Sequence, residues 1–264
     1  MGKFGTYWRI YKQLLVSSIA KDLEYRENFV AKLLQNLVGF LFYLLTIYIV
    51  FANVEQVAGW KAPQFLILMG TCFFIDSIHG TFCYHLSKLP ELVRRGELDF
   101  VLIKPISSQF WVTFREFDFS TISLLIVSVI AVGMGVSASG VTLGILQILG
   151  YLVLTMAAIL MFFAVRMIMM TTAVWFIDVS HMWVLSDTMM SIARFPTDIY
   201  GTNVRRIFIY YLPLAFIATI PAKQLIDGFS MPSMLHGILW AVIFWIASKL
   251  FWNFALKHYS SASS

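Results

Sequence analysis

Two short segments carry the residue types that could do chemistry in an otherwise apolar chain: Asp76-Ser-Ile-His79 and Asp178-Val-Ser-His181. Each sets an acid and an imidazole three residues apart, one turn along the same helix face. Both fall near the middle of hydrophobic stretches. An ionisable group there costs roughly 3 kcal/mol on insertion scales, so it needs a partner or a watery cavity. The residue types fit a polar stripe along a translocation route, a proton relay, or a metal site of two Asp and two His. The plainer reading, and the one favoured from residue types alone, is that each pair is a buried contact holding helices or subunits together. Asp187 falls on the opposite face from Asp178 and points to a separate contact. No Ser/His/Asp or Cys/His nucleophile set has supporting context.

The elements that must position these residues are membrane helices. Of the 264 residues 59% are hydrophobic and 12% charged, against about 25% charged in a soluble domain, which excludes an ordinary soluble enzyme. The net charge of +5 is spread beside apolar spans, with no basic domain to hold a duplex, so nucleic acid is excluded as a partner and membrane lipid is expected. Cys72 and Cys83 lie three turns apart on one predicted helix, roughly 16 Å, so they cannot bridge each other.

The order of segments predicts an all-α membrane protein forming one transmembrane domain. Residues 1–32 alternate charge with aromatics (Tyr7, Trp8 and Tyr11 against Arg9 and Lys12), the pattern of an amphipathic helix lying in the interface. Spans are expected at 33–54 and 65–86. The run 119–165 holds no charged residue and is long enough for two spans, 119–138 and 143–165, broken at Gly133-Met-Gly-Val-Ser-Ala-Ser-Gly140. A fifth span fits either 167–193 or 207–226. Pro213 and Pro221 cut the later run into pieces too short to cross, and Arg166 and Arg194 bracket the earlier one, which favours 167–193. The segment 195–230 is then re-entrant, and 234–256 is the last span. With six spans, every Lys and Arg except Lys61, Arg194, Arg205, Arg206 and Lys223 falls on the side of the termini. The positive-inside rule therefore puts both termini in the cytoplasm of a multi-pass plasma (inner) membrane protein. The methionines crowding the fifth span (Met182, Met189 and Met190 among them) suit ordinary packing.

One charged island, 88–104, interrupts the apolar blocks. Pro90 suits a first helical turn, Glu91 the positive end of a helix, Arg94 and Arg95 the negative end, and Gly96 the stop. Such a helix sits in water against the membrane face, where something outside the bilayer can push on what is inside.

The arrangement of an interfacial helix, two spans, a cytoplasmic helix and four further spans resembles the permease of type-2 ABC exporters. Arg95-Gly-Glu-Leu-Asp-Phe-Val-Leu-Ile-Lys-Pro105 is similar to the R-G-x-L-D-x-x-L-x-K-P element of one poorly characterised subgroup. Phe195-Pro-x-x-Ile-Tyr200, followed by Pro213-x-x-Phe216 and Pro221, resembles its segment before the last helix, with Gly201 where that pattern carries proline. The resemblance covers most of the chain and selects 167–193 as the fifth span. It implies export driven by a separate ATPase in two copies, which binds the ATP and Mg. This chain itself is not an enzyme and has no G-x-x-x-x-G-K-[ST] of its own. It also implies a second permease, a different chain in preference to a second copy. The 88–104 element becomes the ATPase-coupling helix, with Leu89, Leu92, Val93, Leu98 and Phe100 filling a groove on the ATPase. Arg94, Arg95, Glu97 and Asp99 would fix register by charge, and Glu91 at the helix start and Gly96 at its stop belong to the same coupling set. Phe195, Pro196, Tyr200, Pro213 and Pro221 become an outer gate. The rival function is an ion-coupled secondary transporter working through Asp76, His79, Asp178 and His181. It should show internal repeats, and the sequence shows no convincing one.

Overall fold

The computed structural model describes residues 3–176, 180–212 and 214–259 and, among them, is all-helical. Helix α1 (Lys3–Glu24) bends at Tyr25 (φ −103°, ψ 52°) into α2 (Arg26–Asn53). The expected boundary at 32/33 therefore lies several residues too late. Glu27 sits in the first turn of α2, where the helix dipole favours an acid, and Lys32 stays helical because its ammonium reaches Asp118 at 2.9 Å.

Helix α3 (Ala62–Phe82) starts at Lys61, whose backbone N–H donates to the side chain of Gln64. It is the enclosed centre of the bundle and packs directly on α7 (Ile122–Ser139). A Cβ added at Gly135 would lie 2.7 Å from the carbonyl oxygen of Pro63, and one at Gly70 2.9 Å from that of Ser128. Those two glycines let the backbones meet, the usual device where lipid offers no hydrophobic drive for helix association.

Between α3 and α7 run three short helices, α4 (Leu89–Arg94), α5 (Leu98–Leu102) and α6 (Ser108–Phe114). Pro90 lies in the first turn of α4, and Gly96 takes φ +69° just after it, as the sequence predicts. Gly140, also at φ +69°, ends α7.

Helix α8 (Ile145–Thr171) departs from expectation. It runs straight through Arg166 instead of stopping there, because that guanidinium is satisfied sideways and need not reach water. A 3-10 turn at Thr172–Val174 follows, and α9 (Ser180–Ala193) begins only after it. The helix expected at 167–193 is therefore two pieces: Met167 and Met170 belong to α8. The 14 residues of α9 rise about 21 Å, short of a hydrocarbon core of about 30 Å.

The chain continues through α10 (Thr202–Tyr210), α11 (Thr219–Ile226) and α12 (Met231–His258). Among the described residues five helical stretches are long and apolar enough to cross a membrane: Arg26–Asn53, Ala62–Phe82, Phe119–Ser139, Ile145–Val174 and Met231–His258.

Side-chain contacts define the two ends of the bundle. Both described chain ends lie together, since the Ser107 N–H donates to the Tyr7 hydroxyl and the Trp252 indole to Ser108. At the opposite end 197–226 folds back on α3 and α8 with Ala215, Ala218, Thr219 and Ala222 buried. Asp198 gathers that end. Its carboxylate accepts from the Trp60 indole at 3.0 Å and pairs with Lys223 and Arg205, both at 2.8 Å.

Candidate functional site

Six charged residues meet in a polar cavity of about 590 Å³ bounded by α2, α3, α7, α8 and α9. Asp76 enters from α3, Arg166 from α8, Asp187 from α9, and Arg194 from the residue after α9. Lys32 from α2 and Asp118, just before α7, complete the set.

The two arginines organise it. Arg166 is buried; it donates through Nε to Ser186 and through a terminal nitrogen to Asp187, both at 2.7 Å, and lies 3.9 Å from Asp76. Its guanidinium is 4.4 Å from the centroid of Phe162 and 4.3 Å from that of Trp183. Arg194 donates to Asp76 at 3.3 Å and to the Tyr43 hydroxyl, between the rings of Tyr43 and Phe73. Each cation thus has an acid and aromatic faces, the arrangement that makes a charge tolerable at low dielectric. Asp118 accepts from the backbone N–H and hydroxyl of Ser120 as well as from Lys32.

The expected Asp76/His79 pairing does not form. Asp76 turns to the arginines, while the buried His79 places Nε2 3.0 Å from the Ile159 carbonyl oxygen and its ring edge-on to Phe162. A spacing of three leaves two side chains about 60° apart around a helix, and here that difference puts them in separate environments. Asp178 and the side chain of His181 lie outside the described residues. Among the described residues no three metal-ligating side chains cluster. Both Cys72 and Cys83 are buried free thiols.

The sequence reading missed Arg166 and Arg194, which it took for the ends of a span. The available signal was that Arg166 interrupts a long apolar run; no acid stands at helical spacing from it, so its partners could not be read locally.

The end of the bundle carrying the termini presents a second surface. Here the expected assignment of leucines is reversed. Leu89, Leu92 and Leu98 are buried against Met167, Met170 and Trp252, so they anchor α4 and α5 to this chain and cannot fill a groove elsewhere. Val93 is partly buried on the same cluster. The apolar side chains that face outward most are Phe100 and Ile103, 67% and 79% exposed, with Leu102 beside them. Around them Glu91, Arg94, Arg95 and Glu97 are exposed, Asp99 is half-buried, and Arg95 bridges to Glu91. Gly96 supplies the turn that sets α5 against α4.

Helix α1 is strapped beneath this surface. The Phe117 N–H donates to Ser18 and that of Phe119 to Asp22. Glu116 lies within reach of Lys88, Lys21 (3.6 Å) and the buried His85 (3.9 Å). His85 and Lys88 hold the Glu116 carboxyl far below its ordinary value against the opposing effect of burial. Burial in turn pushes the His85 imidazole below its ordinary 6.5, although Glu116 opposes the shift.

Of the residues expected at an outer gate, Phe195 is exposed with its ring 6.3 Å from that of Phe65, and Pro196 is buried. Tyr200 meets Phe208 edge-on, and Pro221 is buried in α11. Pro213 lies outside the described residues.

Together the long apolar helices, the charged interior and the anchored surface helices define a multi-pass membrane protein. Residues 37–263 match the family model described as ABC-2 family transporter protein, and the chain belongs to that family. No curated protein matches the chain. Membership makes this the membrane permease of an ABC transporter, associated with an ABC ATPase that hydrolyses ATP in a separate subunit.

Proposed function

We propose that this chain is the permease of an ATP-driven exporter, forming its route with a second permease chain and coupled to two ATPase copies through α4 and α5. The carrying observation is the two-sided build of those helices. Phe100, Ile103, Arg94 and Arg95 face outward, while Leu89, Leu92 and Leu98 sit on Met167 and Met170. Arg166 occupies the adjoining turn of α8 and pairs with Asp187 of α9. A push on the outer face thus reaches the charged cavity through one packed contact and one ion pair. The ATP and Mg belong to the partner.

In this reading α9 and the following residues 194–198 make a sixth, interrupted crossing. Arg194 lies level with Asp76, Tyr43 and Phe73 in the interior, and Asp198 reaches Trp60 at the opposite end. The segment 197–226 is then the re-entrant part, with Phe195, Pro196, Tyr200 and Pro221 at the outer gate. The termini are cytoplasmic, in line with the Lys and Arg distribution. Coupling through paired Asp and His, as an ion-driven transporter would need, finds no support at the first pair, because His79 faces Ile159 and Phe162.

The test is affinity purification of the tagged chain in mild detergent with identification of co-eluting proteins. A Walker-A ATPase is expected, and Arg94→Glu with Arg95→Glu should lose it while the permease still inserts. Undiminished ATPase recovery with that double variant removes the coupling assignment.

A further inference from the structure

The charged cavity continues into a second groove of about 290 Å³. Lys32, Tyr84 and Asp118 line both, so the Lys32–Asp118 pair forms the waist between them. Ser18, Lys21 and Asp22 of α1 line the groove on its other side. The path therefore runs from the level of an amphipathic interfacial helix to the arginines at the level of mid-α3. Its main chamber lies within the usual size of small-molecule sites, about 300–1,000 Å³.

The six charged side chains of the cavity are three cations and three acids, each already paired. A ligand of one sign would leave a residual charge in a low-dielectric wall, whereas a ligand bearing both signs can exchange with a pair and leave none. Two members are free to make that exchange. Lys32 has a side chain 39% exposed, and its partner Asp118 would keep both bonds from Ser120 if the ammonium moved away. Asp187 has a side chain 51% exposed, and Arg166 would keep Ser186 and the nearby Asp76. The remaining four are more enclosed. One accessible ammonium on α2 and one accessible carboxylate on α9 thus face a common space.

We propose that this cavity binds a zwitterionic headgroup, its anionic group taken by Lys32 and its ammonium by Asp187, with an amphiphile from the leaflet level with α1 as its source. The inference rests on the permease reading and assigns a substrate class to that route. Asp76, Arg166 and Arg194 hold the walls, and Trp183 provides an apolar face beside Arg166.

The test uses the permease with its co-expressed ATPase in bilayer discs holding equal phosphatidylethanolamine and phosphatidylglycerol. Retained lipid is read by native mass spectrometry. Phosphatidylethanolamine should be enriched. Lys32→Met or Asp187→Asn should each lower that enrichment about tenfold, the effect of one lost charged contact, while Lys32→Arg and Asp187→Glu restore it. Equal retention, preference for phosphatidylglycerol, or enrichment indifferent to both variants overturns the proposal. Soluble phosphoethanolamine that displaces the lipid upholds the zwitterion site but overturns the membrane as its source. ATPase recovery in the same preparation separates the two readings: intact recovery with random lipid removes only this inference, and loss of the ATPase from the unmodified complex removes the proposed coupling to an ATPase through α4 and α5.

Discussion

Asp76 illustrates how far a single residue could be read. Its depth in an apolar helix marks it as needing a partner, but the partners come from α8 and the end of α9, more than eighty residues away in sequence in either case. Local spacing pointed to His79, three residues off, and spacing carries no information about which neighbour will face a given side chain. The energetic consequence is testable. With Asp76→Ala, Arg194 loses its acid and Arg166 one of two, leaving buried cations without compensation, a change that costs about 3 kcal/mol. Thermal unfolding in detergent should show that loss, and Asp76→Ala with Arg194→Leu should cost less than the sum of the single changes. By contrast Lys32→Met opens a pair whose lysine is 39% exposed and whose acid keeps Ser120, so about 1 kcal/mol or less is expected. Equal losses at the two sites would mean the arginine cluster is not the enclosed one.

At the scale of elements, helix starts and stops followed local chemistry and were legible: Pro90 in the first turn of α4, Gly96 and Gly140 at their left-handed positions. Boundaries resting on charge failed, at Lys32 and at Arg166, because each charge is met by an acid on another helix and so does not mark water. Helix proximity was equally invisible in composition. Gly133 and Gly135 look alike in sequence, yet a Cβ at Gly133 meets nothing within 4 Å, while one at Gly135 meets the Pro63 oxygen at 2.7 Å and the Ile67 nitrogen at 3.0 Å. Gly135→Ala should separate α3 from α7 and cost about 1–3 kcal/mol, whereas Gly133→Ala should be neutral or slightly stabilising by helix propensity. Both are read by thermal melting. The strap between α1 and the 84–119 segment should respond to acid. His85, faced by Glu116, Lys88 and Arg115, is held below its ordinary 6.5, so it binds fewer protons folded than unfolded. Its contribution is therefore complete above 6.5 and is lost as pH falls below that value. Glu116, depressed from 4.5, acts in the same direction at lower pH. Protection from hydrogen exchange at 84–88 and 116–119, taken relative to the intrinsic rate at each pH, should fall between pH 7.5 and 5.5, and His85→Gln should abolish that step. Protection unchanged across this range would show that His85 does not weaken the strap on protonation.

For the whole molecule, the family match supplies the class, but the arrangement of the chain about a bilayer follows from parity and contacts. The five long stretches alternate between the two ends, and α8 finishes at the end where Met170 meets Leu89, whereas α12 starts near Gly150, at the opposite end. The chain between them must pass from one end to the other. No single helix among the described residues there is long enough, and in the reading proposed above the passage combines α9 with the residues up to Asp198. Hydropathy could not reveal this, since an interrupted crossing shielded by protein need not be apolar along its length. Sidedness is then fixed by labelling single introduced cysteines, against a background in which Cys72 and Cys83 are buried and should stay unreactive. Phe100→Cys, on the exposed face of α5, should react with an impermeant maleimide only in inverted vesicles. Arg205→Cys, on α10 beside Asp198, should react only in intact cells. Labelling of both from one side would abolish the sixth crossing. Reversal of both would keep the crossing, put α4 and α5 outside the cell, and so rule them out as the ATPase dock.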